Sequence, residues 1–433
     1  QPRSRGLGVC IRDSPSYTSN LLPHQYIRYS LNGGTASALG TGQDDYELTS
    51  GVIEAGATNT YNLRLWVADA STYSLPNSAL GQEIHLKISV EGKAGSGWLP
   101  SNFKDRILAL NEVKIPITTP GAAISTADEA LLASAEDDYG TSYYFRGAVT
   151  NNYVEFANKC WRIVRIGGDN TIKLILHNDN TSNTSNPCSS ANNNTTAAFA
   201  HYNGDTYTSV FNSNYADNAY VGFMYGTVDS STYEATHANI NKSTILTNLE
   251  IWYNDNLKTC ESVIDDNVFC NDKTNVTDTS YDPMNAFNTS QITGLGYRTE
   301  GTYYAAYKRL YTNKTPSLKC NGTLSKITSK IGLITADEVV YAGNVVVTSG
   351  STSYLQENAT GSHWWSMTPS DYYVDMQLHS LATEAQVLLI KDNCSVNRYK
   401  VNRSNAVRPV ISLIPSTAIS GGSGTSEDPY VVK

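Results

Sequence analysis

Apolar and polar residues alternate in several short stretches of the first ~115 residues, which predicts β-strands there. Residues 26–31 and 36–39 flank Asn32-Gly33-Gly34, a hairpin signal with glycine where a positive φ is needed. Residues 61–67 and 84–90 alternate with period two, as expected of half-buried strands. Several short strands with Gly, Asn and Pro turns and no long helix indicate an immunoglobulin-like β-sandwich.

A helix-breaking segment from Pro116 to Gly121 ends this pattern. A short helix is predicted after it, from Ser125 to about Ala135. Domain boundaries usually fall in such Pro- and Gly-containing connections, so we place the boundary here. The predicted organisation begins with a sandwich over residues 1–115 and a linker over residues 116–135.

The region after the linker mixes strands with polar stretches. Strands are predicted at residues 143–146, 153–156, 160–165 and 172–176. The sequence Gly167-Gly168-Asp169-Asn170 predicts a turn that joins the last two. Residues 178–240 are rich in Asn, Ser, Thr and Tyr with few apolar positions, which indicates long surface loops.

Capping signals predict two helices. Ser243 is a suitable N-cap for the first. The residues that would share the buried face of this helix are Ile245, Leu249, Trp252 and Tyr253. Thr335 and Glu338 form a capping box for the second helix, and Gly343 stands where a C′ glycine belongs.

The final third returns to short strands and contains an apolar run at residues 406–413. Ser420-Gly421-Gly422-Ser423-Gly424 predicts a flexible spacer, and Tyr430–Val432 a last strand. We therefore predict an α+β chain. Residues 136–415 would form a mixed domain with long loops and about two helices, and residues 416–433 a Gly/Ser spacer with a terminal strand.

Composition narrows the class of protein. Charged residues make up 16% of the chain, against roughly 25% in ordinary soluble domains. The net charge of -9 and pI of about 5.3 argue against a nucleic-acid partner, because no basic excess replaces phosphate counterions. No apolar run approaches the ~20 residues that a membrane span needs. The chain begins at Gln1 without methionine, as expected of a mature or trimmed product.

The seven cysteines include no CxxC pair and no histidine at zinc-finger spacing, which argues against structural zinc. Two interpretations remain: disulfides in an exported protein, or free thiols in a cytosolic one. The polar composition and the lack of a cofactor motif favour export. Our hypothesis is that Cys160 pairs with Cys188 and Cys270 with Cys320. An odd number leaves at least one thiol free or paired between chains.

A catalytic site is not favoured by the sequence. It contains no G-x-S-x-G, HExxH, P-loop or G-x-G-x-x-G motif. A triad could be drawn from Ser366, His363 or His379, and Asp371 or Asp375, but nothing places Ser366 on a strained turn. A polar surface is the favoured interpretation.

Calcium is the only metal that the sequence suggests, and we predict no cofactor. Five oxygen-bearing side chains fall within fourteen residues: Asp265, Asp266, Asn271, Asp272 and Asp278. Hard cations need six to eight oxygen ligands, and the EF-hand template is not matched. Solvated loop carboxylates are therefore preferred over a structural calcium ion.

The segment from His363 to Tyr399 is the candidate recognition surface. Trp364 and Trp365 are adjacent in a predicted strand and so point to opposite faces, one toward the core and one toward solvent or ligand. Rigid aromatics beside adaptable polar side chains are typical of binding surfaces; ordinary wet loops are the alternative. The candidate ligand-binding residues are His363, Trp364, Tyr372, Tyr373, Asp375, Gln377, His379, Asp392, Asn393, Asn397 and Tyr399.

Several segments resemble a large group of exported proteins of gut Firmicutes. These segments cover residues 137–149, 159–165, 268–272, 332–338, 365–369 and 407–413. The last two are also similar to the closing strands of C-type-lectin-like domains, including the formylglycine-generating branch and the variable proteins of diversity-generating retroelements. Residues 46–51 and 61–67 resemble camelysin-type and biofilm-fibre β-sandwiches.

The resemblance implies a C-type-lectin-like ligand-binding domain over residues 136–415. The oxidising cysteine pair of formylglycine-generating enzymes is not matched, and neither are the Glu-Pro-Asn and Trp-Asn-Asp calcium–sugar motifs of true C-type lectins, so these activities are not carried over. We expect a non-enzymatic, adhesin-like protein, secreted or at the cell surface, with an extracellular protein or glycan ligand. The alternatives are a filament subunit that self-associates through sheet edges, and an oxidase or hydrolase on the same fold.

Overall fold

The structure is a computed structural model. It describes residues 4–13, 22–39, 45–53, 60–69, 75–83, 86–95, 100–124, 129–278, 280–281, 295, 301–348, 351–374 and 383–433. The chain divides into two compact units, Gln1–Pro100 and Ser101–Lys433. It is of mixed α+β character with more strand than helix, as predicted. The division falls earlier than the predicted boundary, so residues 101–124 belong to the second unit.

Six strands are described in the first unit, and they form two three-stranded sheets. Their bounds are β1 Ser4–Asp13, β2 Ile27–Leu31, β3 Ser37–Ala38, β4 Asp45–Ile53, β5 Leu63–Val67 and β6 Leu86–Gly95. One sheet has the order β4-β1-β6 and the other β3-β2-β5, with antiparallel pairing throughout. The short 3-10 helices of this unit are His24–Tyr26 and Asn77–Ala79.

The predicted hairpin of the first unit is confirmed. Arg28 pairs with Ala38 across the turn, in which Asn32 and Gly33 have φ values of 51° and 75°. A small core joins the two sheets, because Leu48 of β4 packs against a cluster that lies around β2 and β3. The buried residues of that cluster are Leu22, Ile27 and Leu39.

The half-buried pattern predicted for residues 61–67 holds only at the start of the stretch, where Tyr61 and Leu63 are half-buried and Leu63 packs on the small core. From Leu65 onward the alternation is lost, since Leu65, Trp66 and Val67 are 37%, 39% and 39% exposed. In the order of its sheet, β5 stands at an edge beside β2. The alternation in the sequence correctly predicts a strand, but it does not show whether another layer covers either face.

The second unit contains short helices and twenty strands among the described residues. Its helices are α1 Phe103–Leu110, α2 Tyr233–His237, α3 Thr244–Asn256, α4 Ala305–Tyr307 and α5 Ala336–Tyr341, a π-helix Lys308–Asn313, and the 3-10 helices Ser190–Asn192, Asn218–Val221, Lys258–Val263, Thr323–Ser325 and Tyr354–Gln356. Its strands are β7 Leu131–Asp137, β8 Gly140–Arg146, β9 Tyr153–Phe156, β10 Lys159–Ile166, β11 Ile172–Asn178, β12 His201–Tyr202, β13 Asp205–Thr206, β14 Thr208–Val210, β15 Met224–Tyr225, β16 Asn241–Lys242, β17 Asn267–Cys270, β18 Thr302–Tyr303, β19 Lys326–Ser329, β20 Trp364–Val374, β21 Thr383–Ile390, β22 Val396–Lys400, β23 Ser404–Ala406, β24 Val410–Leu413, β25 Ile419–Gly421 and β26 Tyr430–Val432.

An eight-stranded sheet forms the centre of this unit, with the order β24-β11-β10-β9-β26-β25, β8 on β10, and β7 on β8. All four strands predicted between residues 143 and 176 are present as β8 to β11. The turn before β11 closes where the Gly167 N–H donates to the Thr171 carbonyl (2.8 Å), and Asn170 takes a positive φ of 68°. Strand β26 lies parallel to β9, which confirms the predicted terminal strand.

A second sheet carries the predicted recognition segment. Its order is β14-β23-β20-β21-β22, with β18 also paired to β20. Because β20 lies between β23 and β21, its backbone hydrogen bonds are made on both edges. The segment therefore rests on an internal strand rather than on a free loop.

Helices α3 and α5 have the predicted caps. The Ser243 hydroxyl accepts a hydrogen bond from the Leu246 N–H, and the predicted apolar face of α3 is buried. Thr335 and Glu338 form the reciprocal capping box at the start of α5. These signals are local, which is why the sequence predicts them correctly.

The helix predicted from Ser125 to about Ala135 is wrong, since β7 begins at Leu131. Leu131, Leu132 and Ala133 are buried, and all of β7 pairs in register with β8. Pairing with a neighbouring strand outweighs the helical propensity of this segment. Residues 125–128 lie outside the described residues.

The prediction that residues 178–240 form long surface loops is wrong in part: most of the segment is irregular, but it also contributes to the main core. Phe199, Phe211 and Phe223 are fully buried in the main core. Polar side chains of the segment hold it in place: the Asp217 carboxylate, itself buried, accepts from the Ala219 and Asp229 N–H groups. These phenylalanines stand twelve positions apart, too far for the two-residue or 3.6-residue spacing by which a sequence predicts a buried strand or helix.

The predicted flexible spacer at residues 420–424 is an ordered turn. It links β25 to β26, which pair with each other. The Ser423 N–H donates to the Asp428 carboxylate (2.9 Å), and the Tyr153 N–H donates to the Gly424 carbonyl (2.8 Å). Gly422 and Gly424 have φ values of 95° and 85°, so glycine here permits a tight turn rather than a loose tether.

Both hypothesised disulfides are present. Cys160 bonds to Cys188 and Cys270 to Cys320, with Cα–Cα distances of 5.0 and 5.6 Å. Among the described cysteines, Cys260 and Cys394 are free thiols. Burial raises the pKa of the Cys394 thiol to about 11, so this thiol is protonated at neutral pH.

Candidate functional site

The described part of the recognition segment forms one corner of the second sheet. His363 immediately precedes β20, and its carbonyl accepts from the Ala406 N–H of β23 (2.9 Å). Asp392 and Asn393 lie in the turn between β21 and β22, and Tyr399 lies in β22. The sheet thus brings together residues that are up to 36 positions apart in the chain.

The turn from Lys391 to Ser395 is held by its own hydrogen bonds. The Lys391 N–H donates to the Ser395 carbonyl (2.9 Å), and the Cys394 N–H donates back to the Lys391 carbonyl (2.8 Å). The Asn393 side-chain oxygen accepts from the Ser395 N–H (3.1 Å) and hydroxyl (2.8 Å). This turn therefore presents Asp392 and Asn393 to solvent on a pre-organised backbone.

His363, Asp392 and Tyr399 form a contact group that we call the His363 cluster. The Asp392 N–H donates to His363 Nδ1 (3.2 Å), and the nearer Asp392 carboxylate oxygen lies 3.7 Å from Nδ1. Because Nδ1 accepts, the proton of the neutral ring is on Nε2. The imidazole meets the Tyr399 ring edge-on, at 6.4 Å between centroids. The cluster offers a donor, a carboxylate and an aromatic edge beside the amides of Asn393 and Asn397.

Two predicted ligand-binding residues, Trp364 and Tyr372, are fully buried and cannot lie on this surface. The prediction that one tryptophan of the Trp364–Trp365 pair meets solvent is wrong. The Arg408 guanidinium lies 4.9 Å from the Trp364 ring, and Phe211 lies against the other tryptophan at 5.8 Å. The two rings do point to opposite faces of an internal strand, but both faces are covered.

The remaining predicted site residues fall where the structure is not described. Asp375, Gln377 and His379 lie outside the described residues. Tyr373 belongs to β20, but the description does not extend to its side chain. His363, Asp392, Asn393, Asn397 and Tyr399 are accordingly the predicted residues that the structure places together or near one another.

A buried carboxylate underlies the same sheet. Asp371 of β20 is fully buried, accepts a hydrogen bond from the Ser370 hydroxyl (2.5 Å), and lies 3.7 Å from the Arg398 guanidinium. Burial raises the pKa of Asp371 to about 6, although Arg398 and the serine hydroxyl act in the opposite direction. The ion pair is too long to offset the loss of hydration.

The triad drawn from the sequence does not assemble as a nucleophilic site. Ser366 is buried, and its hydroxyl donates to the Leu388 carbonyl (2.6 Å). Asp371 is engaged with Ser370 and Arg398, as described above. In the described residues, these groups support the sheet.

Three of the four acidic residues considered for calcium are paired with cations. Asp272 lies 3.0 Å from Arg309, Asp278 3.0 Å from Lys308, and Asp266 3.5 Å from Lys330. Within the ranges that the structure describes, no group of three His, Cys, Asp or Glu side chains could hold a metal ion. Ion pairing, together with solvation, accounts for these carboxylates.

The sequence did not reveal a buried charge network centred on Glu338. Its carboxylate accepts from Lys173 (2.6 Å), Arg165 (2.9 Å) and the Thr335 N–H (3.0 Å). Burial acts to raise the pKa of Glu338, but the two cations outweigh it and lower the pKa to about 2. The adjoining cavity of about 40 Å³ has room for only a few water molecules. We interpret this network as structural.

Comparison with known proteins gives no relative: no protein-family model, curated protein or solved structure matches the chain. In the portion of the chain that is described, none of the helices has the length and apolar character of a membrane-crossing segment.

Proposed function

We propose that the protein is a non-enzymatic binding protein, secreted or held at the cell surface, that recognises an extracellular protein or glycan through the His363 cluster. The observation that carries this proposal is the convergence of His363, Asp392 and Tyr399 on one partly exposed corner of the second sheet. Donor, acceptor and aromatic groups held on a rigid backbone are what polar recognition requires.

The two disulfides support an exported location. Disulfides form and persist in oxidising compartments and are rare in the cytosol. Both disulfides of the described residues lie in the second unit, the unit that carries the cluster. They constrain the proposed binding domain by closing loops of 28 and 50 residues.

The proposal includes two finer assignments: an immunoglobulin-like sandwich for the first unit, and a C-type-lectin-like domain of an exported Firmicutes surface protein for the second. The paired three-stranded sheets of the first unit support the sandwich. The mixed sheets, short helices and long connections of the second unit support the lectin-like domain.

Binding is tested by probing an array of glycans and extracellular proteins with the full 433-residue chain. For any probe captured, Asp392→Ala and His363→Ala should each weaken affinity at least tenfold, because each removes one of the converging polar groups. Glu112→Ala is the matched control, since that carboxylate is also exposed and lies outside the sheet. Capture of no probe, or unchanged affinity in both cluster variants, would overturn the proposal.

The second candidate function is a filament subunit assembled by strand addition, and one observation favours it. The β5 edge exposes Leu65, Trp66 and Val67 in succession, and an apolar sheet edge is a template for pairing with another chain. Electron microscopy and sedimentation over rising concentration should then show polymers that Trp66→Lys abolishes. A chain that stays monomeric at all concentrations would exclude this function.

A further inference from the structure

One buried lysine of the second unit has no carboxylate partner within the part of the chain that the structure describes. Three lysines are buried there. Lys159 lies 2.7 Å from a carboxylate oxygen of Asp179, and Lys173 lies 2.6 Å from one of Glu338. Lys273, which follows β17, is fully buried and is bonded only to neutral acceptors. An unpaired ammonium group in the interior is costly, so its surroundings need an explanation.

The Lys273 amine is held by three carbonyl oxygens. Its Nζ donates to the backbone carbonyls of Met224 (3.0 Å) and His237 (2.8 Å), and to the side-chain oxygen of Asn239 (2.6 Å). Burial lowers the pKa of Lys273 to about 7. At pH 7 about half of these side chains are therefore uncharged amines, and the uncharged amine is the nucleophilic form of lysine.

The Asn239 carboxamide offers an electrophilic carbon to this amine. Because a C=O bond is about 1.23 Å long, Cγ of Asn239 lies no more than about 3.8 Å from Lys273 Nζ. The Asn239 Nδ2 donates to the Lys326 carbonyl (3.0 Å), which fixes the plane of the amide. Asn239 is only half-buried, so a small leaving group has a route to solvent. Holding two reacting groups in this way replaces a bimolecular encounter.

We propose that Lys273 and Asn239 become joined by an isopeptide bond within the chain. The Nζ lone pair attacks Cγ of Asn239, a Nζ–Cγ bond forms, and the Cγ–Nδ2 bond breaks. One proton of the amine leaves with Nδ2 as ammonia, so the reaction needs no oxidant and no further reactant. The product is a neutral amide in place of a buried ammonium group, which removes the cost of burying that charge.

Proximity and the uncharged amine drive the reaction. In the described residues, no carboxyl group forms a hydrogen bond with either side chain to assist proton transfer. We therefore expect the bond to form slowly, after folding has brought the two side chains together. The pair shares no residue with the His363 cluster, so this proposal and the proposed function can fail separately.

The test is a peptide map of the full-length protein, incubated for several days at neutral pH, then reduced, alkylated and digested with trypsin. The peptides that contain Asn239 and Lys273 should be recovered joined, lighter by one ammonia than the sum of their masses, and uncleaved after Lys273. Lys159 and Lys173 are internal controls, since both are buried but paired with carboxylates, and they should remain unlinked. Recovery of the two peptides only in separate form would overturn the proposal.

Variants assign the bond to this pair. Asn239→Ala and Lys273→Arg should each abolish the joined peptide. Asn241→Ala is the matched control, because this nearby asparagine donates to the Gly226 carbonyl and not to a lysine, and it should leave the linkage unchanged. Protein kept unfolded in urea should not form the bond, and the fragment spectrum of the parent locates it even if a variant fails to fold. A joined peptide that persists in Asn239→Ala, or that forms equally in urea, would refute the assignment.

Discussion

Replacing Asp371 by Asn should stabilise the second unit, although it removes one member of an ion pair. The carboxyl group is fully buried, and its pKa is raised from 3.8 to about 6 by burial. This difference corresponds to about 3 kcal/mol, by which the folded state favours the neutral form. Asparagine resembles that neutral form in shape and still accepts from the Ser370 hydroxyl.

The sign of the pH dependence follows from proton binding. Between pH 3.8 and about 6 the folded state holds more protons at Asp371 than the unfolded state, so this residue lowers stability as the pH rises. Below pH 3.8 Asp371 is protonated in both the folded and the unfolded state, and above about pH 6 the loss of stability is complete. The advantage of Asp371→Asn should therefore grow from about 1 kcal/mol at pH 4.5 to at most about 3 kcal/mol at pH 8.

Urea unfolding of both proteins at pH 4.5, 6 and 8, with disulfides intact, measures this difference. Tryptophan fluorescence is a suitable probe because four of the six tryptophans lie in the second unit: Trp161, Trp252, Trp364 and Trp365. Glu112→Gln is the control, since that carboxylate is 81% exposed and its replacement changes no buried charge. If Asp371→Asn is less stable than the parent by the same amount at every pH, Arg398 compensates fully for burial and the reasoning is refuted.

Three further predictions concern stability. Glu338→Gln should destabilise the fold by about 3 kcal/mol or more, because it leaves buried Lys173 without its paired carboxylate and Arg165 with Asp137 alone; in the parent, this contribution should be present above pH 4.5 and lost toward pH 2, as thermal unfolding over that range would show. The double variant Cys270→Ser, Cys320→Ser opens the 50-residue loop and should lower the free energy of unfolding by about 4 kcal/mol, as denaturant unfolding would measure. A decrease below 1 kcal/mol would contradict a stabilising role for this disulfide. Gly147→Ala should prevent stable folding, because Gly147 has a φ of 80° and the new Cβ would lie 1.5 Å from a backbone oxygen. Gly204→Ala is the control, since Gly204 has a similar φ of 88° but open space around the new Cβ, and it should lower the free energy of unfolding by only about 1–2 kcal/mol. Equal melting temperatures for the two variants would refute the clash.

Local signals predicted much of the fold. The Asn32-Gly33 hairpin, the Ser243 cap and the Thr335–Glu338 capping box each depend on residues a few positions apart, and each is present. The disulfide hypothesis is also confirmed. In the hairpin and the two helix caps, the energetic preference lies within the segment itself.

Long-range packing explains what the sequence could not show. From the sequence, Glu338 is predicted as a member of a helix capping box. Its ion-pair partners Arg165 and Lys173 are 173 and 165 residues away in the chain, so the buried charge network was not predicted. Residues 131–137 have helical propensity, but pairing with β8 determines their conformation. In the candidate site, the sequence located the segment and predicted opposite faces for Trp364 and Trp365. It could not reveal that distant residues cover both faces.

The parallel pairing of β26 with β9 has a consequence for the order in which the protein is made. Tyr430 pairs with Val154, and its buried ring packs on Phe103, so the central sheet joins parts of the chain synthesised far apart in time. In a nascent chain that has not yet reached residue 430, one edge of β9 has no strand to pair with. This topology delays closure of the sheet until translation has passed that point. Ribosome-bound chains stalled before residue 430 should remain protease-sensitive in this region, whereas released chains should be resistant.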